Sequence, residues 1–276
     1  MYSAEINRNN PSAFLFLIDQ SGSMSDKNEN GKTLAELVAD SINKLLQDLV
    51  IKCSKAEGIR NYFEVGVIGY GSNGCYNGFK EGLSGSIMHK IEEIANQPLR
   101  IEERVKKVSD GAGGIIEQNI KFPVWFEPVA NGGTPMCEVF RVAAKELVEW
   151  CDTYTQSFPP IIINITDGEP TDGDPESLAE TIKQISTDDG NVLLFNVHIT
   201  QSSYNQFIYA DSENQLPSEN AKKLFRMSSL LTPYMQNLAR NAGFSVNENS
   251  RGYCYNADIV SLINFLDIGT RAANLR

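Results

Sequence analysis

Histidine is nearly missing from this chain: His89 and His198 are the only two in 276 residues, and they lie far apart in sequence. That weakens any histidine-based hydrolase or zinc enzyme. The five cysteines (Cys53, Cys75, Cys137, Cys151, Cys254) are odd in number and scattered, with no Cys-x-x-Cys pair. Neither a zinc site nor a disulfide framework is expected from them. Positive charge is also scarce. With 24 Lys and Arg against 35 Asp and Glu, the net charge is -11, and no dense basic run appears. A nucleic-acid-binding surface is therefore not expected, because phosphate neutralisation needs a basic patch. No apolar run is long enough to span a bilayer, and the opening residues MYSAEINRNNPS hold no apolar core of a leader peptide. The expectation is a cytoplasmic protein with no membrane segment. No repeat or low-complexity tract is present.

What the chain does hold is short apolar runs. Ala13 to Ile18, Tyr62 to Tyr70, Ile161 to Thr166 and Val192 to Ile199 each read as strands buried on both faces. Helical periodicity lies between them. In KTLAELVADSINKLLQDLVIKC, Leu34, Leu37, Val38, Leu45 and Leu49 share one face; in MCEVFRVAAKELVEWCDTY, Val139, Val142, Ala143, Leu147 and Trp150 do the same. DPESLAETIKQIS reads as a helix with Asp174 as its cap and Pro175 in its first turn. SLLTPYMQNLARNAG reads as a helix stopped by Gly243, RGYCYNA as a short strand, and DIVSLINFLDIGTRAA as a last helix. Strands alternating with helices predict an α/β fold: a doubly wound, mostly parallel sheet with helices on both faces. Two stretches, 73–131 and 201–228, fit the alternation less well and read as insertions on a single domain spanning 1–276. The first contains SIMHKIEEIANQ, read as a helix carrying a surface His89. It also holds Phe122, Trp125 and Phe126, read as core.

In an open α/β sheet, ligands bind outside the carboxyl ends of the strands. Asp19 ends the first strand and is followed by Ser21 and Ser23 in FLFLIDQSGSMSD. Asp167 ends the IIINIT strand, and Thr134 follows two glycines just before a helix. If the two strands are neighbours where the strand order reverses, these five residues share one crevice. Two carboxylates and three hydroxyls make an all-oxygen set, which suits a hard divalent cation. Mg²⁺ fits a compact, hydroxyl-rich set best, with Mn²⁺ or Ca²⁺ as alternatives.

Taken together, Asp19-x-Ser21-x-Ser23, Thr134 and Asp167-Gly168 resemble the metal-ion-dependent adhesion site of von Willebrand factor A (vWA) domains. The resemblance runs from about Ala13 to Ile268, with the two insertions as departures. It implies a Rossmann-like sheet of six strands with one antiparallel edge strand. It implies that Ser21 and Ser23 bind the ion directly, that Asp19 and Asp167 act directly or through water, and that Thr134 joins when a ligand carboxylate arrives. The function implied is a non-enzymatic, metal-dependent protein-binding module completed by an Asp or Glu of a partner protein. The chain looks like the stand-alone bacterial members that accompany protein kinases and phosphatases in stress-related or tellurium-resistance gene sets.

Other readings stand beside it. Asp19 could serve a Mg²⁺-dependent phosphoryl-transfer hydrolase as nucleophile, but the residue two positions on, where a second acid is needed, is Ser21. Asp19 and its serines could merely form a polar turn into a helix. GYGSNG, Gly69 to Gly74, matches a dinucleotide-binding fingerprint, but no helix opens after it, so a tight hairpin is expected. DGEPTDGDP lacks the spacing of a calcium-binding EF-hand loop and reads, beyond Asp167, as turn and cap. His198 reads as a core or rim histidine with its hydrogen bonds met, and Cys75 as a loop cysteine open to solvent.

Overall fold

The computed structural model describes residues 2–28, 31–72, 74–109, 114–200 and 205–256. The four apolar runs all form strands, and they lie side by side. The central strand β1 (Ser12–Asp19) pairs in parallel with β2 (Phe63–Gly71) on one side. On the other side it pairs in parallel with β7 (Ile161–Thr166), which pairs in turn with β8 (Leu193–His198). β10 (Tyr253–Tyr255) extends the parallel run beyond β8. The chain thus leaves β1 for β2 and later returns to the other flank for β7, so strand order reverses at β1.

The expected doubly wound, mostly parallel class is observed. Among the described residues the sheet is wider than the resemblance implies, with eight strands rather than six. Antiparallel pairing occurs at both margins: β3 (Gly74–Asn77) and β4 (Met88–Lys90) each join β2, and β9 (Phe207–Ile208) joins β10. β2 and β3 are the arms of the hairpin read from GYGSNG, with Gly74 at a φ of 79° that favours glycine.

Alternation along β1 explains why its whole run is apolar. Phe14, Phe16 and Ile18 face one core, with α1 (Leu34–Cys53), α2 (Ile91–Asn96) and α6 (Pro233–Asn241). Ala13, Leu15 and Leu17 face the other, with α3 (Met136–Thr153), α4 (Glu176–Ile182) and α5 (Glu219–Met227). A strand covered on both sides has no wet face on which to place a polar residue. The caps are local. Thr33 Oγ1 accepts the Glu36 amide at 3.1 Å, and the Thr33 amide donates to Glu36 Oε2 at 2.8 Å. Thr33→Ala is expected to cost about 1 kcal/mol through this capping box. The loss should appear as a lower denaturant midpoint with an unchanged slope.

The first irregular stretch differs from its sequence reading. SIMHKIEEIANQ is helical only from Ile91 to Asn96; residues 88–90 pair with β2 instead. His89 is consequently buried rather than on a helix surface, with Nε2 2.8 Å from the Leu83 carbonyl and Nδ1 3.2 Å from Glu93. An unpaired sheet margin outcompeted a short helical turn. Further on, β5 (Arg100–Ser109) and β6 (Ile115–Val124) form a separate two-stranded arm. Its base is fixed by the core residues expected there: Trp125 and Phe126 are buried, and Arg104 lies 3.7 Å above the buried Phe122 ring while bonding Asp40 on α1. Ile101, Val105, Ile115 and Ile116 on the arm are exposed. In the second irregular stretch, α5 packs on the sheet beside β8. The helix expected from DIVSLINFLDIGTRAA falls outside the described residues.

Candidate metal centre

Because β1 and β7 are neighbours at the reversal point, their carboxyl ends open into one crevice. Asp19 is fully buried there. Its Oδ1 accepts the Ser21 amide at 2.8 Å, a local turn that bends the chain off the strand. A short 3₁₀ turn over Gly22–Ser25 follows, anchored by the buried Met24. The bend sets two hydroxyls toward Asp167: Ser21 Oγ and Ser23 Oγ are 3.1 Å apart, and Ser23 Oγ donates to Asp167 Oδ1 at 3.0 Å. Thr134, buried, arrives from the loop before α3.

Gly168 shows where these groups converge. A Cβ at that position would lie 3.3 Å from Thr134 Oγ1 and 3.8 Å from both Asp19 Oδ2 and Ser23 Oγ. Asp19, Ser21, Ser23, Thr134 and Asp167, named from sequence, are thus brought together by the fold. The loops that carry them are stitched by main-chain bonds. Asn131 N–H donates to the Gln20 carbonyl at 2.6 Å, Gly22 N–H to Gly132 O at 2.9 Å, and Ser72 N–H to Asn131 O at 3.0 Å. Gly132 has a φ of 88°, and a Cβ there would run into Ser72.

Electrostatics sharpen the picture. Burial pushes the Asp19 carboxyl up to about 6, against the lowering effect of its hydrogen bonds from Thr166 and Ser21; the neighbouring Asp167 pushes it up further. Asp167 is raised as well, by burial first and by Asp26 in part. Among the described residues no Lys, Arg or His pairs with either carboxylate. Buried carboxylates are ordinarily paired or bound to a metal. A fully buried Asp19 and a half-buried Asp167 facing three hydroxyl oxygens, without a counter-charge among the described residues, fit a divalent cation. Among the described residues no three His, Cys, Asp or Glu side chains gather as a metal-binding group.

Several contributors were not named from sequence. Thr166, the last residue of β7, donates to Asp19 Oδ2 at 2.6 Å. Strand alternation carried the signal: Thr166 shares a face with Asn164, beside β1. Asn220 on α5 donates to the Gly168 carbonyl at 3.0 Å. DGEPTDGDP is turn as read, but Pro175 rather than Asp174 holds the cap position of α4, and two of its carboxylates accept amides at helix starts. Asp174 accepts the Glu176 amide at α4, and Asp172 accepts the Cys137 and Glu138 amides at α3. His198 is buried at the end of β8, but among the described residues its Nδ1 has no hydrogen-bond partner, against the expectation that its bonds are met. Cys75 is half-buried rather than open, and burial pushes its thiol up to about 12.

The chain matches no known family profile and no curated protein. Solved structures similar to it include the SpRpn10 VWA domain, at 14% identity and a TM-score of 0.41 over 70% of this chain and 77% of that one. The ArnB paralog VWA2 from Sulfolobus acidocaldarius is 15% identical, with a TM-score of 0.34 over 69% of this chain and 35% of that one. The pilus adhesin SpaC from Lactobacillus rhamnosus GG is 15% identical, with a TM-score of 0.46 over 94% of this chain and 31% of that one. No helix among the described residues is long and apolar enough to cross a membrane.

Proposed function

We propose that this chain is a metal-dependent protein-binding module. Asp19, Ser21, Ser23, Thr134 and Asp167 would hold one divalent cation, Mg²⁺ in preference to Mn²⁺ or Ca²⁺. A bound ion supplies a Lewis-acidic position for a carboxylate, and that carboxylate comes from an Asp or Glu of a partner protein. The observation that carries this reading is the convergence of the fully buried Asp19, the half-buried Asp167 and three hydroxyls at the point where strand order reverses, with no cationic partner for either carboxylate among the described residues. Asp19 suits a holding role better than a nucleophilic one: it is fully buried, and both its oxygens already accept hydrogen bonds.

Calorimetric titration of the metal-free protein tests the reading. Wild type is expected to bind Mg²⁺ and Mn²⁺, and Asp167→Ala to bind more than about tenfold more weakly while keeping its fold. A wild type that takes up no divalent ion would sink the proposal. A partner still captured in EDTA, or by an Asp19→Ala chain, would not be using the ion. Turnover of a generic phosphate ester with Mg²⁺, lost in Asp19→Asn, would favour the phosphoryl-transfer alternative.

A further inference from the structure

Of the five oxygen donors, Thr134 is the one that no strand carries to the crevice. It follows Gly132 and Gly133 in an exposed loop, so its hydroxyl is only as well placed as its backbone. That backbone is held from the segment after Asp167. Thr134 N–H donates to Thr171 Oγ1 at 3.0 Å, and Thr171 N–H donates to the Thr134 carbonyl at 2.9 Å. The next residue extends the attachment: Asp172 Oδ1 accepts the Cys137 amide at 3.0 Å and Oδ2 the Glu138 amide at 2.8 Å. Four hydrogen bonds therefore join the Thr134 loop and the start of α3 to a segment beginning four residues after Asp167. Gly133 makes the approach feasible, since a Cβ there would stand 3.0 Å from Thr171 Oγ1.

We infer that Thr171 is a positioning residue of the ion site: its side chain and amide lock Thr134 to the Asp167 loop, so that these two donors move as one body. The inference rests on the metal-binding reading above. The donors then fall into two groups: Asp19, Ser21 and Ser23 on the turn after β1, and Thr134 with Asp167 on the clamped pair of loops. The two groups are joined by the Gly22 to Gly132 and Asn131 to Gln20 bonds. Thr171 is itself exposed, and its hydroxyl serves Thr134 as an acceptor only, a role that serine can fill and valine cannot.

The test is a double-mutant cycle read by calorimetric titration of Mg²⁺ and, separately, Mn²⁺ into the metal-free full chain. Thr171→Val keeps size and branching but removes the acceptor; it is expected to weaken ion binding about tenfold. Thr171→Ser restores the acceptor and should bind as wild type does. In a Thr134→Ala background, Thr171→Val should cause no further loss, because the group it positions is gone. Thermal unfolding of each variant in EDTA is measured alongside. Thr171→Val that lowers the unfolding temperature but binds ions as wild type does overturns the inference, as does a loss that simply adds to that of Thr134→Ala. Either result leaves the metal reading standing. A wild type that binds neither ion overturns both. Thr171→Ala removes the same acceptor without bulk and runs the same cycle if the valine variant does not fold.

Discussion

Replacing Asp19 with asparagine is expected to stabilise the metal-free protein by about 3 kcal/mol at neutral pH while removing its divalent-ion binding. The reason is the environment of the carboxylate. Asp19 is fully buried and sits beside a second carboxylate, and its folded-state value is raised from 3.8 to about 6. The sign follows. Below 3.8 both folded and unfolded chains carry the proton, and the folded state has no charge to bury. As pH rises through 6, the folded chain must ionise a group that prefers to be neutral, and that stability is lost. Asparagine never ionises, and its carbonyl can still accept the Ser21 amide. For a chain of this length the gain corresponds to a rise of about 5 °C in unfolding temperature. Mg²⁺ should reverse the order. It stabilises wild type by mass action, about 4.1 kcal/mol at a thousandfold excess over the dissociation constant, and leaves the asparagine variant unmoved. Unfolding temperatures in EDTA and in Mg²⁺ check both halves. An asparagine variant that melts lower than wild type in EDTA would contradict the account.

His198 should impose an opposite dependence of similar size. Burial drives its imidazole down to about 4 from 6.5. Among the described residues its Nδ1 has no partner, its ring meets Tyr255 edge-on at 5.0 Å, and no acid stands against it. The stability it contributes is present above 6.5. As pH falls from 6.5 towards 4, the unfolded chain takes up a proton and the folded chain does not, which costs about 3 kcal/mol. Over much of this window Asp19 gains what His198 loses. Metal-free wild type should therefore show a nearly flat stability profile between pH 6.5 and 4. The single variants separate the two contributions. His198→Phe, which keeps an aromatic ring against Tyr255, should become more stable as pH falls. Asp19→Asn should become less stable. Glu127, held low by Lys80 and Arg100, enters only at lower pH. Parallel slopes for wild type and His198→Phe would show that this histidine is not the titrating group.

How much of this was readable from residues alone depends on the range of the forces involved. β1, β2, β7 and β8 were readable because a strand buried on both faces leaves an unbroken apolar run. The convergence of Asp19, Ser21, Ser23, Thr134 and Asp167 was readable because each stands at or just after a strand end or a glycine pair, and the rule for open sheets brings such places together. Thr171 was not, because hydrogen bonds between loops depend on where two distant segments come to rest. His89 was misplaced for a related reason. SIMHKIEEIANQ has helical spacing throughout, but its first residues met the open edge of β2 and paired with it. The unmet nitrogen of His198 could not be read from its apolar strand, since whether a partner stands opposite is decided by α5 and β10. The width of the sheet was set by short margin strands, two to four residues long, with too little pattern to announce themselves.

The arm formed by β5 and β6 leaves and rejoins the body at a single closed rung, where the Leu99 amide meets the Val124 carbonyl at 2.8 Å. Entry and exit are therefore already side by side, whatever lies between them. Arg104 over Phe122, with its bond to Asp40, secures the base. Residues beyond that stack can be removed in opposite pairs, such as Ser109 with Ile115, without changing the span the body must bridge. In engineering terms the arm is a graft point: a foreign hairpin or a recognition loop can replace its outer half, and the scaffold beneath needs no new anchor.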